Sequence, residues 1–70
     1  MPVERDSRKI IAALRKAGFE VVSVRGSHHK LRRGEVTVIV PHPRKDLPEG
    51  TARAIWRQAG LDAGAGSGAR

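Results

Sequence analysis

Phe19-Glu20-Val21-Val22-Ser23-Val24-Arg25-Gly26-Ser27-His28-His29-Lys30-Leu31-Arg32-Arg33-Gly34-Glu35-Val36-Thr37-Val38-Ile39-Val40 is the stretch that decides how this chain folds. Valine and isoleucine crowd its two ends, and β-branched side chains suit a pleated strand better than a helix. Phe19 to Arg25 reads as one strand, stopped by a turn at Gly26-Ser27. Leu31 to Arg33 and Val36 to Val40 read as a hairpin that turns near Arg33-Gly34-Glu35. Three antiparallel strands follow.

Outward from the strands, each flank carries a helix pattern. Upstream, Ile10, Leu14 and Ala17 recur at helical spacing with Ile11 beside them, while Arg8, Lys9, Arg15 and Lys16 take the wet side. Asp6 or Ser7 is placed to cap this helix and Gly18 to stop it. Residues 1–6 are polar and are expected to be loose. Downstream, Pro41, Pro43 and Pro48 rule out a regular element and predict a rigid loop over 41–48. A second helix is predicted from near Pro48 to Ala59, with Ala52, Ile55 and Ala59 inward, Trp56 flanking and Gly60 at its end. Residues 62–70 are small and Gly-rich and predict a flexible tail after a single domain over 1–61.

The order is therefore α-β-β-β-α, an α+β domain. A chain of 70 residues has too few apolar side chains to bury both faces of a sheet. Both helices are expected on one face of the three-stranded antiparallel sheet, with cations on the other.

Lys and Arg number 14 against 7 Asp and Glu, for a net charge of +7. Such a balance draws polyanions: nucleic acid, an acidic protein or an anionic membrane surface. With Phe19 and Trp56 as the only aromatics, reading RNA by stacking bases on an aromatic platform is not expected. The absence of cysteine excludes disulfides, thiolate metal sites and a cysteine nucleophile. No apolar run approaches the roughly 20 residues that span a bilayer, and a cytoplasmic location without membrane partners is expected.

Chemistry concentrates at Gly26-Ser27-His28-His29-Lys30-Leu31-Arg32-Arg33. Imidazole moves protons near neutrality, and neighbouring cations can hold a phosphate. That pairing is what breaking an RNA backbone requires. A surface turn rich in His, Lys and Arg is the plainer reading, so the rest of the chain must decide. Adjacent strand residues point to opposite faces, which keeps His28 and His29 from sharing one ion, and no metal site is assigned.

Gly26-Ser27-His28-His29-Lys30-Leu31, then Val40-Pro41-His42-Pro43, then Leu47-Pro48-Glu49-Gly50-Thr51, Ala54-Ile55 and Arg57-Gln58-Ala59-Gly60-Leu61 occur in an order that resembles the HicA (YcfA-like) toxins of toxin-antitoxin systems. The likeness covers about residues 7–61. It implies a fold like the double-stranded-RNA-binding domain and a metal-independent endoribonuclease that cleaves mRNA without a cofactor. It also implies neutralisation by an acidic HicB-type antitoxin. One departure is Ala52, where the family usually carries leucine and where a thinner core is expected.

The family's functional histidine closes Gly-Ser-x-His, which here is His29, with His28 in the variable position. Strand alternation gives His29 the parity of Leu31, a core residue, and His28 that of Lys30 and Arg32. His29 is chosen with the regular strand starting after it; a strand starting at Ser27 would expose His28 instead. As general base or acid His29 would contribute about 10²–10⁴ in rate. Ser27, His28, Lys30, Arg32 and Arg33, with Arg44 and Lys45 in the proline-rich loop, are the expected RNA contacts. The second proton carrier is left open: His42 is a candidate, although a histidine between prolines reads first as fixing its loop.

A non-catalytic RNA-binding module is the rival function, gripping RNA by shape and phosphate contacts. A dock for an acidic partner is a third reading, compatible with catalysis. No recognition-helix pattern stands out, so direct DNA binding by this chain alone is not expected, and Arg53 and Arg57 read as a solvated face.

Overall fold

Each of the two hairpins turns on a glycine. Gly26 and Gly34 have φ of 56° and 61°, the positive value that a two-residue turn requires at its first position. Arg25 and His28 close the first turn and Arg33 and Val36 the second. The computed structural model describes residues 3–61, so the tail expected over 62–70 lies outside the described residues. In chain order the elements are α1 (Ser7–Lys16), β1 (Glu20–Arg25), β2 (His28–Arg33), β3 (Val36–Pro41) and α2 (Glu49–Ala59). The antiparallel sheet has the order β1-β2-β3.

One face of that sheet is covered. Leu31, Val38 and Val40 are fully buried, whereas Ile39, which points the other way, is 46% exposed. Both helices pack on the buried side, α2 along β3 and α1 across β1 and β3. This is the α-β-β-β-α arrangement of a double-stranded-RNA-binding-domain-like fold. A register shift between Val21 and Ser23 leaves Val22 as the extra residue of a bulge in edge strand β1.

Asp6 caps α1, its carboxylate accepting from the backbone N–H of Arg8 at 3.0 Å. Ile10 and Leu14 bury the inner stripe, and Arg15 and Lys16 complement the negative end of the helix. In α2 the first turn has no side-chain cap, and Glu49 instead supplies negative charge there and pairs with Arg53 at 2.8 Å. The helix closes with two Schellman bonds of 3.0 Å, Leu61 N–H to the Trp56 carbonyl and Gly60 N–H to that of Arg57.

Two expectations change. The segment from Val3 onward is held rather than loose: Val3 joins the core, and Trp56 Nε1–H donates to the Glu4 carbonyl at 3.2 Å. Leu47 N–H donates to the Arg5 carbonyl at 3.0 Å, and the Arg5 guanidinium pairs with Asp46. The cause is Trp56, which is only 1% exposed and so needs both cover and an acceptor for its indole N–H. Trp56, expected to flank the inner face of α2, is instead part of the core. It lies one helical turn from Ala52 on the same face, and both are buried.

β3 runs one residue further than expected, to Pro41. An edge strand tolerates proline because one row of its backbone groups has no ladder partner. The loop 42–48 then runs beside the entry to α1, where Ser7 N–H donates to the Arg44 carbonyl at 2.8 Å.

Candidate active site

The site forms at the end of the sheet where β2 begins and β3 ends. β2 starts at His28, which pairs with Arg25 on one side and Pro41 on the other, so the pleat is already regular there. The expectation that it starts after His29 does not hold. His28 is therefore exposed on the open face, with Lys30 and Arg32, and His29 is half-buried on the helix side with Leu31 and Arg33.

Being turned inward brings His29 against His42. The ring centroids are 4.8 Å apart and the planes meet at 85°, an edge-to-face contact. His42 is held twice. Its backbone N–H donates to the Ser27 carbonyl at 2.7 Å, and its Nδ1 lies 2.7 Å from Ser7 Oγ. Ser7 Oγ also accepts the backbone N–H of Arg44 at 2.8 Å. Ser7 is only 1% exposed, so its hydroxyl sits inside the protein where the loop meets α1.

His29 Nδ1 is buried and has no hydrogen-bond partner among the described residues. Leaving such a group unpaired costs about 1–3 kcal/mol. Among the described residues no other side-chain polar atom is both enclosed and without a partner. The two half-buried imidazoles thus meet where the β1–β2 turn and the loop 42–48 come together.

The other expected RNA contacts fall into three places. Arg44 and Lys45 follow His42 in the loop, exposed, beside the imidazole pair. Ser27 lies in the turn, bonded through its carbonyl to His42, with His28 next to it on the open face; Lys30 and Arg32 follow along β2 on that face, and Arg32 reaches the far turn, where its Nε–H donates to the Gly34 carbonyl at 2.8 Å. Arg33 is apart from both. It lies four residues along β2 from His29, roughly 13 Å by strand rise. Its guanidinium donates to the Ala17 carbonyl at 2.7 Å and lies 4.7 Å from the centre of the Phe19 ring.

Two residues of the region escaped the sequence reading. Arg25 pairs with His28 and shares its open face, extending the cationic surface to β1. From the sequence Ser7 reads only as a candidate cap. The signal was the adjacency of Asp6 and Ser7, since one helix needs one cap and the other polar side chain is left for a different partner. Next to the loop, the hydrogen bond that the Arg5 guanidinium donates to Asp46, and then the Asp46 charge, raise Arg5 above its ordinary pKa. Among the described residues no three His, Asp or Glu side chains are gathered to hold a metal ion.

No curated protein matches the sequence. A family model described as the HicA toxin of bacterial toxin-antitoxin systems matches residues 7–61. That span runs from the first residue of α1 to the residue after the cap of α2 and takes in Ser7, His29 and His42. With most of its length inside that match and every element of the fold within it, the chain belongs to the HicA toxin family of bacterial toxin-antitoxin systems.

Proposed function

We infer that this HicA toxin is an endoribonuclease that cleaves mRNA in the cytoplasm without a metal ion, and that a HicB-type acidic antitoxin neutralises it. The observation that carries this reading is His29 packed edge to face on His42 at 4.8 Å, where the β1–β2 turn meets a loop that carries Arg44 and Lys45. RNA brings its own nucleophile, the 2′-hydroxyl. Cleavage then asks the protein for proton transfer and for stabilisation of charge on the phosphate.

His29 is the residue that moves the proton. Arg44 and Lys45 hold phosphate next to it, Ser27 and His28 receive the strand at the β1–β2 turn, and Lys30 and Arg32 carry it along the open face of β2. Arg33 contributes through the fold, since its guanidinium is engaged with Ala17 and Phe19. An acidic antitoxin that covers the surface from Gly26 to Arg33 would remove RNA access and neutralise charge together.

The test compares wild type with His29→Ala, both shown to be folded. Purified wild-type protein is expected to cut RNA in excess chelator, and its induced expression to arrest growth with new RNA ends; His29→Ala is expected to do neither. A folded His29→Ala that cuts at the wild-type rate removes His29 from the chemistry. Wild type that binds RNA and yields no product makes the chain a binding module.

A further inference from the structure

His42 is held more firmly than a loop-fixing residue requires. The bond from its backbone N–H to Ser27 already ties the loop to the β1–β2 turn. Its ring is bound separately, by a serine hydroxyl that is itself enclosed and pinned by the Arg44 N–H. A hydroxyl can serve a ring nitrogen in two ways, donating to a bare Nδ1 or accepting from Nδ1–H. Ser7 therefore supports His42 with or without its second ring proton. His29 has no such partner on Nδ1 among the described residues.

We propose that His42 is the second proton carrier of this site, the general acid to the general base His29, and that Ser7 is the residue that positions its ring; this rests on the endoribonuclease reading. The hydrogen bonding assigns the two roles. An imidazolium needs an acceptor for the ring proton it does not transfer, and His42 has one in Ser7 Oγ at 2.7 Å. His29 works from its neutral form. In the reaction the 2′ oxygen bonds to phosphorus as the bond from phosphorus to the 5′ oxygen breaks. The 2′ proton passes to His29, and the Nε2 proton of His42 passes to the leaving 5′ oxygen. The products carry a 2′,3′-cyclic phosphate and a 5′-hydroxyl, and solvent returns the proton from His29 to His42.

The experiment uses an RNA whose cut site has been mapped with wild-type protein, and a twin carrying sulfur in place of the leaving 5′ oxygen. A thiolate leaves without being protonated, so only the oxygen substrate needs the acid. His42→Asn retains a polar atom for Ser7 and has no proton to transfer. It is expected to lose about 10²–10⁴ in rate on the oxygen substrate and to cut the sulfur one nearly as fast as wild type. Ser7→Ala is expected to show the same pattern more weakly, about tenfold on oxygen for one lost hydrogen bond. His29→Ala should lose both substrates.

Equal losses by His42→Asn on the two substrates, or no loss on either, would overturn the general-acid role while leaving the nuclease intact. Wild type that cuts neither substrate ends the nuclease reading and this proposal with it. Thermal melting checks that each variant is folded, and if His42→Asn is not, the ratio measured on Ser7→Ala decides.

Discussion

Lys30 and Arg33 are three residues apart on β2 and answer to different constraints, because the strand turns one to solvent and the other to the helices. Lys30→Ala is expected to leave stability within about 0.5 kcal/mol. It should lower the salt dependence of RNA binding by about one phosphate contact, read as the slope of log affinity against log salt. Arg33→Ala removes a cation from the end of α1 and from the Phe19 ring, a loss of about 1–2 kcal/mol that urea denaturation would register. The side of the strand on which each falls was readable from Leu31, since alternation runs from a residue that must be buried. The partner of Ser7 was not readable. His42 is 35 positions away, and nothing local in the sequence marks an enclosed hydroxyl as a ring's support.

Among the elements, α2 carries the largest departure from expectation, and Trp56 is the reason. The buried indole takes its acceptor from the N-terminal segment, at the Glu4 carbonyl. Ala52 lies one turn from that indole on the same buried face. Ala52→Leu is expected to destabilise the domain by about 1–3 kcal/mol through overpacking, measured as a lower denaturation midpoint. A higher midpoint would show that the core beside Trp56 has room. The hairpins and both helices were legible because their signals are local, a glycine at each turn, Asp6 capping α1, Pro48 and Glu49 opening α2, and a repeating apolar stripe. The bond between residues 4 and 56 joins the two ends of the described chain, and periodicity carries no information at that range.

At the scale of the whole molecule, one thin layer of helices over one sheet leaves little margin. The Cα extents are 31 × 25 × 16 Å, and a chain of 70 residues buries only about 60% of the surface its unfolded form exposes. An acidic antitoxin should therefore act as a stabiliser as well as a cover. At a free concentration about 100 times its Kd it adds about 2.7 kcal/mol, seen as a higher melting temperature of the toxin in the pair. The gain should shrink as salt screens a surface charge of +7. No rise in melting temperature at saturation would mean that the partner binds the unfolded chain as well as the folded one. The enclosed indole has a last consequence, for light rather than for energy. Trp56 is the only tryptophan, and α2, Glu4 and the core meet around it. Its emission is a built-in optical gauge of the complete fold, so a red shift in any variant of the imidazole pair separates an unfolded protein from a chemically silent one in the same cuvette.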